Sequence, residues 1–152
     1  MLMRRATLTD AESAHDLSQL AYAQWVPVIG REPLPMTVDY DEAIRTHIVD
    51  LLEDAGTLCG LIELVPQDTH LLIESIAVHP DHQGKGHGTL LLEHAEATAT
   101  QLGFIELRLY TNAAFISNLK FYADHGYVEL ERSILIPGSI TVHMNKKLGM
   151  TA

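Results

Sequence analysis

Between Val78 and Thr89 the chain reads Val78-His79-Pro80-Asp81-His82-Gln83-Gly84-Lys85-Gly86-His87-Gly88-Thr89, with three glycines on alternate positions. A strand-like apolar segment precedes this run and an amphipathic helical pattern follows it. Glycines let the backbone turn tightly and aim several N–H groups at one point. The helix behind them adds roughly half a positive charge from its macrodipole. The run is therefore an anion cradle suited to a diphosphate. It also restricts the fold, because a strand must end and a helix must begin on the two sides of one short loop.

Two familiar glycine motifs fail on this cradle. A dinucleotide fingerprint laid on Gly84 and Gly86 needs a third glycine where Thr89 stands. A P-loop ending in Gly84-Lys85 needs glycine at His79 and a hydroxyl at Gly86. The pattern [QR]-x-x-G-x-[GA] does fit, as Gln83, Gly86 and Gly88 after Ile76-Ala77-Val78-His79-Pro80. That segment resembles the acyl-CoA signature of the GNAT family of N-acetyltransferases. A second segment, Asn118-Leu119-Lys120-Phe121-Tyr122 with His125-Gly126-Tyr127, is similar to the family's N-x-x-x-Y-x-x-x-G-[FY] stretch.

Composition narrows the alternatives. A chain of 152 residues with 47% hydrophobic residues suffices for one domain, expected over 1–148 with a tail at 149–152. No apolar run approaches the roughly 20 residues of a membrane span, and Arg4-Arg5 leads into polar residues, so a cytoplasmic protein is expected. Twenty acidic against ten basic residues give a net charge of −10, which disfavours nucleic acid and anionic membranes. A polyanionic cofactor remains compatible, since directed backbone N–H groups act at contact while charges beyond about 8–10 Å are screened. Cys59 is the only cysteine, so an internal disulfide and a cysteine cluster are excluded, and it reads as a small buried hydrophobe. Nine histidines include the close trio His79, His82 and His87, yet no thiol or carboxylate framework accompanies them in sequence and no metal is expected. His87, between two glycines, is expected to point outward.

Periodicity gives the element order βααβββαβαββ. A strand over Leu2 to Ala6 leads to a capping box at Thr9-Asp10-Ala11-Glu12 and a helix to about Gln24, buried through Ala14, Leu17, Ala21 and Trp25. Pro27 to Pro35 reads as a loop and Asp41 to His47 as a short helix. Strands follow at 48–53, 57–65 and 70–78, then a helix from Thr89 to Leu102 closed by Gly103. A strand from Phe104 to Tyr110, a helix from Phe115 to His125, and strands at 128–136 and 140–146 complete the chain. This α/β order matches the acyl-CoA N-acyltransferase fold of the resembled family, a single domain with a mixed central sheet of about seven strands.

The resemblance implies acetyl-CoA as co-substrate, an amine acceptor, and splaying of the fourth and fifth strands around the pantetheine arm. It places Ile76, Ala77 and Val78 along that arm, Gln83, Gly84, Lys85, Gly86, His87, Gly88 and Thr89 around the diphosphate, and Asn118 on the pantetheine. An amine near pKa 10.4 costs about 4.6 kcal/mol to neutralise at pH 7, so a general base is useful. Glu74 shares strand parity with Ile76 and Val78 and is the candidate, with a merely solvated glutamate as the competing reading and Glu63 or His79 as alternatives. Tyr122 stands where the family protonates the departing thiolate, although Phe115, Leu119 and Tyr122 also form a helical core stripe. Tyr110 and Tyr127 read as core packing. Acceptor candidates are Tyr22, Trp25, Arg31 and Glu32, with Tyr40 and Asp41. The C-terminal hairpin is apolar enough for a homodimer. A non-catalytic acyl-CoA sensor of the same fold is the rival function, and a hydroxyl or hydrazine-like acceptor a lesser one.

Overall fold

A computed structural model describes Met1–Gly149, so most of the tail expected at 149–152 lies outside the described residues. Seven strands form one sheet: β1 (Leu2–Arg5), β2 (Ile48–Asp54), β3 (Thr57–Pro66), β4 (Leu71–Val78), β5 (Glu106–Asn112), β6 (Val128–Ile136) and β7 (Ser139–Lys147). Their spatial order is β1-β2-β3-β4-β5-β7-β6. Every pairing is antiparallel except β4 with β5. That one parallel pair follows from the helical crossover α4 (His87–Gln101), which returns the chain in the same direction.

Helices cover both faces of the sheet, and each face has its own core. Ala14, Leu17 and Ala21 of α1 (Ala11–Tyr22) and Tyr40 and Ala43 of α3 (Tyr40–Thr46) pack on Val49, Leu51 and Leu61. Leu91, Leu92, Ala95 and Ala99 of α4 pack on the opposite face with Ile62, Leu64, Ile73 and Leu107. Full burial of each such leucine or isoleucine contributes about 1.5–3 kcal/mol, so the face-switching pattern of apolar residues holds the layers together. Among the described residues no helix is long and apolar enough to cross a membrane.

The first helical region departs from expectation in two ways. Its capping contact lies two residues earlier than Thr9–Glu12: the Thr7 N–H donates to Asp10 Oδ2 at 2.8 Å. The fork from Arg4 to both Asp10 oxygens, 2.8 and 2.9 Å, holds that carboxylate back toward Thr7. The segment read as a loop from Pro27 begins instead with a short helix, α2 (Val26–Ile29), joined to α1 by a 3-10 turn at Ala23–Trp25. Pro27 lies in the first turn of α2, where its missing N–H costs nothing, and Gly30 closes the turn at φ 73°. α4 starts at His87 rather than Thr89, and β5 runs to Asn112 because pairing with β7 continues to Asn112↔Thr141.

Candidate active site and cofactor groove

The parallel pairing of β4 and β5 stops after Ile73↔Leu109. On its other edge β4 pairs Ser75 with Glu63 but Ile73 with Leu64, so Glu74 is the extra residue of a β-bulge. The bulge turns β4 away from β5, leaving Glu74 and Tyr110 at the point where the strands separate. Tyr110 Oη donates to Glu74 Oε1 at 2.6 Å. Tyr110 is thus not plain core packing; burial and the adjacent Glu74 carboxylate push its phenol up, keeping it a donor. Ile73 and Ile76, three residues apart, both pack in the α4-side core, so the bulge interrupts the simple alternation of β4 at Glu74.

Two cavities meet at this split. One is a groove bordered by Ile76, Ala77, Val78, Gln83, Gly84, Gly86, Gly88 and Thr89, which are the residues expected around the cofactor. The other is a chamber containing Glu74, Tyr110 and Arg31. Tyr22, Ile76, Asn118 and Tyr122 border both, so a group lying in the groove can present its end to the chamber there.

The groove is made by backbone geometry. Gly84 and Gly86 have φ of 77° and 85°, a region that side chains other than glycine's resist. A Cβ on Gly88 would lie 2.9 Å from Phe121 Cζ, so glycine lets α4 approach α5 (Ile116–Asp124). The Gln83 side chain donates to Val78 O at 3.1 Å and the Tyr22 hydroxyl to Ile76 O at 2.6 Å, fixing the wall of β4. Thr89 Oγ1 lies 2.9 Å from His125 Nε2, and the Nδ1–H of the same ring donates to Phe121 O at 2.7 Å, which ties the start of α4 to the end of α5. Lys85 is exposed and borders neither cavity. His87 does not point outward: it is 3% exposed, because α4 begins at this residue and turns its ring under the loop.

Tyr122 is buried, and burial raises its phenol well above the usual value, so it keeps its proton. It also packs against Phe121 and Tyr127, so the core-stripe reading and the site reading describe the same ring. Tyr127 is buried as expected. Glu63 borders neither cavity; it lies 2% exposed with Oε2 at 2.6 Å from His47 Nδ1, and burial raises its carboxyl. His79 accepts the Asp81 N–H at 3.1 Å and caps the 3-10 turn Pro80–His82. Neither alternative base thus reaches the chamber.

Of the acceptor candidates, Arg31 borders the chamber, with Nη2 3.1 Å from Ser139 Oγ, and Tyr22 borders both spaces. Trp25 belongs to the groove side and stacks on Phe115 with ring centroids 4.5 Å apart. Glu32 is exposed outside both cavities, Tyr40 is a core residue whose phenol burial pushes up to about 12, and Asp41 is exposed on α3.

The model of the acetyltransferase (GNAT) family matches residues 14–127. The chain belongs to the GNAT family. Among curated relatives it is 29% identical over 134 residues to a mycothiol acetyltransferase of Jonesia denitrificans, covering 84% of this chain and 42% of that protein. It is 25% identical to an amino-acid acetyltransferase of Serratia proteamaculans, covering 88% of this chain and 28% of that protein. The chain therefore spans less than half the length of these relatives. Among solved structures, PaiA N-acetyltransferase of Thermoplasma acidophilum in complex with coenzyme A superimposes with TM-score 0.82 at 21% identity, covering 96% of this chain and 98% of that one.

Sequence reasoning about this GNAT chain missed Tyr110 as a partner of Glu74 and missed the β6–β7 hairpin, whose Leu135, Ile136, Ser139 and Thr141 border the chamber. A signal for Tyr110 was present: a phenol at the end of the strand expected to splay has a polar head that must find a partner. The hairpin carried none, because its approach to Arg31 depends on the order of strands in the sheet.

Proposed function

We propose that this GNAT protein transfers acetyl from acetyl-CoA to a primary amine by direct attack in a ternary complex. The observation that supports this reading best is the shared border: Tyr122 and Asn118 face both the glycine-loop groove and the chamber that holds Glu74. Acetyl-CoA is a co-substrate whose diphosphate suits the amides of Gly84, Gly86 and Gly88, with Asn118 along the pantetheine. In the chamber Glu74 takes the proton of the attacking amine. Tyr110 occupies Oε1 and leaves Oε2 for that task. Nitrogen bonds to the carbonyl carbon, the carbon–sulfur bond breaks, and Tyr122 donates its phenolic proton to the departing thiolate.

The acceptor in this reading has an apolar body, suited to Ile73, Leu109 and Phe115, and an anionic group for the Arg31 guanidinium. An amine that also carries a carboxylate satisfies both, in keeping with the amino-acid acetyltransferase relatives. Location in the cytoplasm and pairing of two copies through β6, with Val128, Leu130 and Ile134 exposed, complete the proposal.

Calorimetric titration with acetyl-CoA, CoA and ATP, followed by thiol release with a panel of amines and amino acids, tests it. Selective binding of the two CoA forms and a product heavier by one acetyl group support the reading. Binding of CoA without turnover on any amine supports the sensor function instead, and absence of binding removes both.

A further inference from the structure

One cluster beneath the glycine loop has no step in the acyl transfer proposed above, although two of its members, His82 and His87, also border the cofactor groove. Cys59 of β3, His82 of the 3-10 turn and His87 at the start of α4 bring a sulfur and two ring nitrogens within 4.8 Å of one another. Backbone bonds place them there: β3 and β4 pair Gly60 with Val78, the His79 N–H donates to Cys59 O at 2.7 Å, and the His82 N–H donates to His79 O at 2.8 Å. The His82 and His87 rings meet edge to face with centroids 5.6 Å apart. His87 is 3% exposed, yet neither of its nitrogens has a hydrogen-bond partner among the described residues. An imidazole stripped of water on both nitrogens requires an account, and nearby protein groups supply no hydrogen bond. The thiol of Cys59 is buried as well and makes one weak hydrogen bond, donating to Thr57 O at 3.3 Å.

We propose that Cys59, His82 and His87 bind a thiophilic divalent cation of the zinc class. One thiolate and two imidazoles form the borderline-soft donor set that zinc accepts, with water as a fourth ligand, whereas magnesium and calcium select oxygen. Bonds of about 2.0–2.3 Å hold tetrahedral ligands roughly 3.5 Å apart, so side-chain rotations bring the three donors onto the ion. Binding forms the sulfur–metal bond, releases the thiol proton to solvent and changes no oxidation state. The ion ties β3 to the two ends of the cofactor loop. Absence of metal was the expectation from sequence because the cysteine and the histidines lie far apart there; strand pairing supplies the missing thiol.

Titration of the full chain, free of any affinity tag, with Co2+ tests the site by absorption spectroscopy, independently of acetyl transfer. The expected result is one equivalent bound with a sulfur-to-cobalt charge-transfer band, displacement by Zn2+, and a higher thermal midpoint with Zn2+. Cys59→Ser removes the band. His82→Ala, at a half-buried turn position, weakens binding at least tenfold with the thermal midpoint of the metal-free protein checked beside it, while His15→Ala on the exposed side of α1 leaves band and affinity intact. Binding of less than one equivalent overturns the proposal, as does a band that survives Cys59→Ser or equal weakening by His82→Ala and His15→Ala.

Discussion

The groove and the chamber share a border but are built differently. The groove is the more local product: about half of its wall comes from the continuous stretch Ile76 to Thr89, with α1, the turn after it and α5 facing that stretch, and its shape rests on backbone angles at Gly84 and Gly86 and on the missing Cβ of Gly88. The chamber is assembled from side chains distant in sequence, with Arg31 after α2, Glu74 in β4, Tyr110 in β5, Phe115 before α5 and Ser139 in β7. A backbone site tolerates drift in most of its side chains, whereas a side-chain site changes with each substitution. The same scaffold can therefore keep one co-substrate while its acceptor varies.

Mutations that act on one region and spare the other sharpen this contrast. Glu74→Gln has the largest expected effect, a loss of about 10²–10⁴ in kcat/KM for the acceptor with acetyl-CoA affinity unchanged. Steady-state thiol release beside calorimetry checks it, and a parallel fall in cofactor affinity would break the division. Gly88→Ala comes next: its Cβ, 2.9 Å from Phe121, costs about 1–3 kcal/mol of stability and weakens acetyl-CoA binding, visible in urea unfolding and cofactor titration. Arg31→Ala raises KM about tenfold for amines bearing a carboxylate and leaves kcat and other amines unchanged. Comparing the two acceptor classes decides whether the chamber selects an anion.

The smallest effect lies in neither region. Asp50 is buried and accepts bonds from His94 Nε2 and Arg5 Nε, both at 2.7 Å. Burial pushes its carboxyl up, but these two partners outweigh burial and hold it below the usual value of about 3.8. A lowered carboxyl contributes stability in full above the unfolded value and loses it as pH falls through the folded one. Asp50→Asn should therefore be less stable than wild type by about 1 kcal/mol near neutral pH, with the gap closing below about pH 3.8 in urea unfolding. An equal gap at all pH values would show that packing, not charge, carries the effect. Acetyl-CoA binding should be the same in both proteins at neutral pH.

Legibility followed the same division. Gly84, Gly86 and Gly88 announced their loop because the spacing is short and because Gly84 and Gly86 adopt conformations rare for other residues, while Gly88 is a helical position with no room for a Cβ. The strands and the two long helices showed their periods because each buries one face. The prolines and Gly30 misled the reading of α2, since a four-residue helix is too short to show a period and a proline in its first turn looks like a proline in a loop. Tyr110 was assigned plain packing and His87 an outward position, and the structure corrected both; Cys59 is buried as expected, but the structure adds two histidines beside it.

The sequence by itself determined the order of the strands and of the longer helices, the α/β class and the glycine cradle, which depend on interactions within a few residues or on periodic burial, while the candidacy of Tyr122 came from the family resemblance and that of Glu74 from strand parity beside it. Only the tertiary structure decided that Tyr110 holds Glu74, that the β6–β7 hairpin borders the chamber with Arg31, and that Cys59 faces two histidines. Those contacts depend on strand order and register, and pairing across a sheet leaves little trace in the local pattern of either partner.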